Sequence, residues 1–167
     1  MANRKLCLIS PKIGDLLVKQ LEHEMKNYNL YRSFASFFAI EGYSALEEYY
    51  QKRATEEKLH HDWCFQYLTD GDYKFKYPSI SENMETFSEL IDPFKLTVDR
   101  EILTTEMIYK IYEAALEEND FMTACWLSEK LIKEQIEEEN TSRMALTIME
   151  ESADIYNKAD QVLDLLD

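Results

Sequence analysis

The sequence predicts an all-α protein in which four long helices form a bundle and a fifth, shorter helix follows at the C-terminal end. The 167 residues include only three glycines and three prolines, the residues that most often interrupt helices. Apolar residues recur in steps of three and four along four long segments, which is the spacing of one helix face. This length suits one sizeable core, so we expect residues 1–167 to form a single domain with residues 1–9 as an N-terminal extension.

The first helix is predicted from Pro11 to about Ile40. Ser10 and Pro11 suit its N-cap and first helical position, and Gly42 follows its other end. Its inner face consists of Ile13, Leu17, Leu21, Tyr28, Tyr31, Ala35 and Phe38. Glu24 fills a gap in the middle of this apolar face. A buried carboxylate must be paired, bound to a cation or protonated, since burying an unpaired charge is very costly.

The second helix is predicted over residues 44–69, and three consecutive positions of its inner face are polar. This face consists of Leu46, Tyr50, Arg53, Glu57, His60, Cys64 and Tyr67. Arg53, Glu57 and His60 could form a buried salt-bridge cluster, or the true inner face could be rotated away from them. A metal site is the third explanation, because residues three apart, such as Glu57 and His60, project side by side from a helix. Four-helix bundles build di-iron sites from such pairs and from carboxylates of neighbouring helices.

Residues 72–91 show no helical pattern and separate the second helix from the third. A connection of this length can cross the whole bundle, which would make the two helices parallel. The third helix is predicted from Asp92 to about Glu118. Its inner face consists of Phe94, Thr97, Glu101, Thr104, Ile108, Ile111 and Ala115. Glu101 therefore interrupts another apolar face.

The fourth helix is predicted over residues 122–150. Its inner face consists of Ala124, Ser128, Leu131, Gln135, Glu138, Ser142, Ala145 and Met149. Gln135 and Glu138 interrupt this face near its middle. A fifth, amphipathic helix is predicted over residues 152–166, and its apolar residues are Ile155, Ala159, Val162, Leu163 and Leu166.

The polar residues of the four inner faces are predicted to meet at one level of the bundle. Glu24 precedes the first turn by about as many residues as Glu57 follows it, and Glu101 is related in the same way to Gln135 and Glu138. Antiparallel helices then carry these groups at similar heights, because three residues span only about 4.5 Å of helix. Carboxylate oxygens with one imidazole suit a pair of non-haem iron ions, and Glu57 is best placed to bridge them.

The net charge of −15 at pH 7 argues against nucleic acid and anionic membranes as partners and favours cations. Many of the acidic residues can also be an ordinary solvated surface. The apolar run near the start of the chain is too short for a signal peptide, and no stretch has the length of a transmembrane helix.

The remaining histidines and the cysteines show no pattern of a further site. Cys7, Cys64 and Cys125 are odd in number and form no CxxC motif, which argues against a disulfide framework and fits a reducing, cytoplasmic compartment. We expect Cys64 to be a core residue. His61 and His23 lie off the inner faces, and we expect both at the surface.

With these residues in place, the sequence resembles the ferritins of the bacterial non-haem type over nearly its whole length. The motifs that carry the similarity are Glu24 with Tyr31, Glu56-Glu57-Lys58-Leu59-His60, Glu101 and Glu134-Gln135-Ile136-Glu137-Glu138-Glu139. The resemblance implies a ferroxidase centre with two iron ions. By this resemblance the first iron is held by Glu24, Glu57 and His60, and the second by Glu57, Glu101 and Glu138 with Gln135 beside it.

The resemblance also implies features around the centre. Tyr31 would form a hydrogen bond next to the iron pair. Glu56, Glu134 and Glu137, together with Glu138, would form a third iron site toward a cavity. The family assembles hollow shells of 24 subunits, in which Fe(II) is oxidised by dioxygen or hydrogen peroxide and stored as ferric mineral.

Two departures separate the sequence from other branches of the family. Bacterioferritins bind haem through a methionine that follows the bridging glutamate; this position is Lys58, so we expect no haem. Animal ferritins have two carboxylates in their three-fold channel, and Cys125 and Ser128 occupy the matching positions. The carboxylates of the animal channel therefore do not predict the route by which iron reaches the cavity in this protein.

Two other classes of protein fit part of this pattern. A rubrerythrin-like peroxidase also has a di-iron centre, but such proteins usually carry a pair of CxxC motifs, which this sequence lacks. A plain helical bundle that acts as an interaction module would leave the buried acids unexplained. Particle mass and iron content together distinguish all three classes.

Overall fold

The computed structural model describes residues 8–81, 85–151 and 153–166 and confirms an all-α fold, with no strand in these ranges. The helices are α1 (Pro11–Glu41), α2 (Ser44–Asp70), α3 (Asp92–Glu117), α4 (Phe121–Leu127), α5 (Lys133–Glu150) and α6 (Ile155–Leu163). A π-helical turn, Ser128–Ile132, joins α4 to α5, and the three pieces together form the fourth long helix. A 3₁₀ turn, Asp164–Leu166, follows α6. None of the helices over the described residues has the length and apolar composition needed to cross a bilayer.

The first helix begins and ends where its local sequence predicts. The Ser10 hydroxyl accepts a hydrogen bond from the Ile13 amide at 3.2 Å, and Pro11 takes the first helical position, where an amide hydrogen would lack a partner anyway. Gly42 stops the helix with a φ of 84°, a left-handed conformation that costs glycine little. Its amide donates back to the carbonyl of Ala39 at 3.3 Å.

The connection between α2 and α3 runs along most of α1, as its length predicts. At one end, the Tyr73 hydroxyl donates to Asp15, near the start of α1, at 2.6 Å. At the other end, the ring centroid of Phe87 lies 5.0 Å from that of Phe37, near the end of α1. These two contacts are separated by about 33 Å of helix. The connection therefore returns to the end of the bundle at which α2 begins. Since α3 starts at that same end, α2 and α3 run in the same direction.

Two apolar clusters fill the bundle, one on either side of a polar layer. One cluster lies toward the turn between α1 and α2 and includes Phe34, Phe38, Tyr49, Tyr50, Phe94, Met149 and Val162. The other lies toward the opposite end and includes Ile13, Leu17, Leu21, Cys64, Leu68, Ile108 and Leu127. The layer between them contains the buried carboxylates of all four long helices.

His23 and His61 are both buried, so the prediction of two surface histidines was wrong. His23 faces α3, where one ring nitrogen lies 2.8 Å from the Thr104 hydroxyl. His61 is covered by the long connection, because its imidazole hydrogen-bonds to the Tyr77 hydroxyl. A helix that packs against more than one neighbour buries more than a single narrow stripe, which explains both errors.

The inner face of the fourth helix shifts at the π-helical turn. Ser128, predicted to face inward, is exposed, and Leu127 is buried instead. A π turn contains an extra residue, so positions before it are rotated relative to those after it. The shift places Leu131, Gln135 and Glu138 on one buried face.

The last helix begins later than predicted, at Ile155. Asp154 forms its N-cap, and the carboxylate accepts hydrogen bonds from the amides of Tyr156 at 3.1 Å and Asn157 at 3.3 Å. Residue 152, where the helix was predicted to start, lies outside the described residues. Residues 1–7, with Cys7 and most of the predicted N-terminal extension, also lie outside them.

Candidate metal centre

Three ligand-type side chains converge in the polar layer between α1 and α2. One potential ligand atom each from Glu24, Glu57 and His60 lies within 4.8 Å of the other two, and all three residues are buried. They are the single such group of three or more among the residues that the structure describes. Glu57 and His60 are adjacent because they are three residues apart on α2, and Glu24 faces them from α1. The inner face of α2 is therefore the one predicted, and the alternative of a rotated helix is excluded.

The protonation of these groups fits a cation site. Burial raises the pKa of Glu24 to about 7, although hydrogen bonds with Glu57 and Gln20 lower it in part. Burial and the carboxylates of Glu101, Glu24 and Glu138 raise the pKa of Glu57 well above its usual value. Without a cation, Glu24 is therefore only partly ionised at neutral pH and Glu57 favours its protonated form, and a divalent ion would displace these protons.

The pKa of the His60 imidazole shifts in the opposite direction. Burial, helped by the positive charge of Arg53, lowers the pKa of His60 to about 4. The ring is therefore neutral at pH 7, and its 3.7 Å approach to Glu138 is not an ion pair. A neutral imidazole is the form that binds metal.

Within the described part of the chain, two carboxylate oxygens in the layer have no amide, hydroxyl or cationic partner. They are the second oxygen of Glu138 and the second oxygen of Glu24, which has only the neighbouring Glu57 carboxyl group as a donor among the described residues. Leaving such atoms unpaired is costly, whereas a cation would satisfy them. Carboxylate oxygens with one imidazole are a donor set that iron accepts well, so these residues fit an iron ion as a substrate.

A hydrogen-bonded network that the sequence reasoning missed orients the two carboxylates. The Gln20 amide donates to Glu24 at 2.7 Å, and the Asn27 amide donates to Glu57 at 3.4 Å. Arg100 in turn donates to the Asn27 carbonyl oxygen at 2.8 Å. The signal in the sequence is their spacing, since Gln20 and Asn27 lie one turn on either side of Glu24 along the same helix.

Glu101 lies in the same layer, but protein donors occupy both of its oxygens. The Tyr31 hydroxyl donates to one oxygen at 2.5 Å, and Arg53 donates to that same oxygen at 2.7 Å. The Gln135 amide donates to the other oxygen at 2.9 Å. The predicted contact of Tyr31 beside the centre is therefore made through Glu101, and Gln135 lies beside Glu101 as well.

Arg53 ties Glu101 to the acids on the other side of the bundle. Its guanidinium donates to Glu56 at 2.9 Å and lies 3.5 Å from Glu138. The Arg53 side chain is only 2% exposed. The buried salt-bridge cluster that the sequence left open is thus present on this side of the layer, next to the potential metal ligands on the other side.

The three acids proposed for a third iron site border one cavity of about 210 Å³. The cavity is lined by Arg53, Glu56, Leu59, His60, Trp63, Glu134, Glu137, Glu138, Thr141, Leu165 and Leu166. Glu56 comes from α2, whereas Glu134 and Glu137 come from α5. His60 and Glu138 belong to the buried layer and also line this cavity, so the cavity adjoins the candidate centre.

Comparisons with known proteins identify the family of this chain. The sequence model of the ferritin-like domain matches residues 14–160. The chain is 25% identical to the bacterial non-heme ferritin of Staphylococcus aureus (strain USA300) over 133 residues, which cover 80% of each chain. It is also 25% identical to the bacterial non-heme ferritin of Staphylococcus haemolyticus (strain JCSC1435) over 134 residues, again 80% of each chain.

Solved structures give the same fold. An open pore ferritin from the hyperthermophilic archaeon Archaeoglobus fulgidus is 23% identical, with a TM-score of 0.85 over 95% of this chain and 97% of that chain. A closed form of the Archaeoglobus fulgidus ferritin, engineered by site-directed mutagenesis, is 25% identical, with a TM-score of 0.84 over 94% and 97% of the two chains. The family match spans most of the sequence and the bundle superposes along its whole length, so this chain belongs to the ferritin family.

Proposed function

We propose that this protein stores iron and oxidises Fe(II) at a centre built around Glu24, Glu57 and His60. The observation that carries the proposal is the convergence of these three buried ligand groups in a family whose relatives are named non-heme ferritins. A second iron would lie between Glu57 and the pair Glu101 and Glu138, with Glu57 as the bridge. We further propose a cytoplasmic particle of 24 subunits that encloses the ferric mineral.

The side chains would bind, position and partly neutralise the iron. Fe(II) would displace the protons held by Glu24 and Glu57, and His60 would supply a neutral nitrogen. Two Fe(II) ions lose one electron each, which reduces dioxygen to hydrogen peroxide or hydrogen peroxide to water. The carboxylates favour the product because an anionic oxygen donor set stabilises Fe(III) more than Fe(II).

Particle mass and iron content test this function together. We expect the purified protein to elute as a very large particle and to take up far more than two irons per subunit when Fe(II) and air are supplied. A rubrerythrin-like peroxidase would elute as a small oligomer with a few irons per subunit. A small particle without bound iron would contradict the proposal. It would favour the remaining class, a plain helical bundle that acts as an interaction module.

The acids at the cavity are proposed to carry iron from the centre toward the mineral. We expect the triple variant Glu56→Ala, Glu134→Ala and Glu137→Ala to keep the rapid first oxidation. It should slow later turnovers several-fold, because Fe(III) loses its next binding site. Stopped-flow absorbance over successive Fe(II) additions measures both phases.

A matched control removes the same number of charges elsewhere. Glu113, Glu150 and Asp160 are exposed and do not line the cavity. Their triple alanine variant should behave as the wild type in every addition. Wild-type multi-turnover kinetics in the cavity variant would contradict the transfer role.

Haem has no place in this proposal. Lys58 carries an ammonium group where the related haem-binding proteins carry a thioether, and this ammonium forms an ion pair with Asp62. A protonated amine has no lone pair to offer a metal.

A further inference from the structure

Arg53 is a buried, positively charged side chain of the polar layer that the proposed function does not use. It lies one turn before Glu57 on α2, and its guanidinium is enclosed by acidic groups from three helices. One terminal nitrogen donates to Glu101 at 2.7 Å. The other donates to Glu56 at 2.9 Å and lies 3.5 Å from Glu138. A permanently charged group therefore lies between the two carboxylates proposed to hold the second iron.

The contacts of Arg53 oppose the binding of a metal ion to the same two carboxylates. The Glu101 oxygen that accepts from Arg53 also accepts from Tyr31, and its other oxygen accepts from Gln135. A cation that binds Glu101 and Glu138 together would lie close to the guanidinium, and the repulsion between the two positive charges favours displacement of Arg53. Among the described residues, no ion pair joins Glu24 or Glu57 to a positively charged side chain, and His60 approaches only the carboxylate of Glu138.

We infer that Arg53 is an internal cation that holds the second metal position in the metal-free protein, so that two metal ions bind in a fixed order. The first ion binds Glu24, Glu57 and His60 while Arg53 stays on Glu101. The second ion binds Glu101 and Glu138 only after Arg53 has left them. This inference rests on the proposed function, since it concerns the same centre.

The structure provides a place for the displaced guanidinium. Arg53 already contacts Glu56 at the wall of the 210 Å³ cavity, whose rim also carries Glu134 and Glu137. A rotation of the long side chain toward these acids would keep its charge paired while it releases Glu101 and Glu138. The acids at the cavity would then bind Arg53 when the centre is full, and a third metal ion would compete with the arginine there.

Titration of the assembled, metal-free protein with Zn²⁺, which undergoes no redox reaction, tests the order of binding. For the wild type we expect one tight ion per subunit and a second that binds at least tenfold more weakly. Removing the competing charge in Arg53→Gln should tighten the second ion by about 10- to 100-fold, the range expected for losing one or two charge-assisted hydrogen bonds. Arg53→Lys keeps the charge and should keep the second ion weak.

A control variant and a crystallographic measurement complete the test. Arg143→Gln removes an exposed arginine that pairs with Glu139 outside the buried layer, and it should leave both affinities unchanged. Wild-type crystals soaked in little Zn²⁺ should show one ion on Glu24, Glu57 and His60 with Arg53 on Glu101. At high Zn²⁺ they should show a second ion with Arg53 turned toward Glu56. The crystals decide the question even if Arg53→Gln does not assemble.

The two ideas fail in different ways. Two equally tight ions in the wild type, or a second ion beside an Arg53 that still contacts Glu101, would overturn the role of Arg53 and leave the proposed function intact. Absence of any Zn²⁺ or Fe(II) from Glu24, Glu57 and His60 would overturn the proposed function and the ordered binding with it.

Discussion

Replacing Glu57 and His60 together with alanine should slow the oxidation of Fe(II) at least 100-fold, while the particle still assembles. The double variant removes the proposed bridge and the nitrogen ligand from the group of three that converges in the bundle. Loss of an outer partner alone typically costs 10- to 100-fold in metal affinity or activity, so loss of two direct ligands should cost about 100-fold or more. Stopped-flow absorbance at low iron per subunit measures the initial rate.

Assembly should survive because the double substitution also removes a buried carboxyl group that lies close to the carboxylates of Glu101, Glu24 and Glu138. A control for changes on the same helix is Glu48→Ala with Lys52→Ala, a pair that lies four residues apart near the surface of α2. This control should oxidise Fe(II) at the wild-type rate. An unchanged initial rate in Glu57→Ala with His60→Ala, in a particle of normal mass, would refute the assignment of the centre.

Glu24→Gln should stabilise the metal-free protein at pH 7.5 but hardly at pH 5. The folded state raises the pKa of Glu24 to about 7 from an ordinary 4.5, mainly because the carboxyl is buried. At a pH below 4.5, Glu24 is protonated in both the folded and the unfolded state and does not change the free energy of unfolding. As the pH rises to about 7, the unfolded chain loses this proton more readily than the folded one, so the stability contributed by the protonated form is lost.

The size of this effect follows from the shift. A difference of about two to three pKa units between the folded and unfolded states lowers the free energy of unfolding by about 3 kcal/mol. Glutamine avoids this loss of stability because its side chain has no proton to release. The Gln20 amide can still donate to the new side chain. Thermal unfolding in the presence of a chelator, at pH 5 and at pH 7.5, measures the difference between the variant and the wild type.

Two further measurements test whether the raised pKa of Glu24 causes the gain in stability. Glu22→Gln removes a carboxylate from the outer side of the same helix, where it pairs with Lys26, and should not reproduce the gain at pH 7.5. Adding Zn²⁺ at pH 7.5 should reverse the order, because an ion that binds only the folded state stabilises the wild type more than a variant that lacks a ligand. A wild type that is as stable as Glu24→Gln at pH 7.5 without metal would contradict the raised pKa.

The sequence determined the fold class and most of the polar layer. Helical spacing placed Glu24, Glu57, Glu101 and Glu138 on the inner faces, and the structure buries all of them. Equal distances from two turns predicted that they lie at one height, because antiparallel helices must match residue for residue around a tight turn. These inferences succeed because period and turn position are local properties of the chain.

The tertiary structure decided which partners these groups have. His23 and His61 are buried because α3 and the long connection cover them, and no periodicity within α1 or α2 encodes that coverage. The π-helical turn moves Ser128 outward, since a wider turn depends on packing that the sequence pattern does not show. Arg53 was identified as a polar residue on an inner face, but only packing decides that its guanidinium reaches Glu101 and Glu138. A long side chain can reach several directions from one backbone position, and neighbouring helices determine which of them it takes.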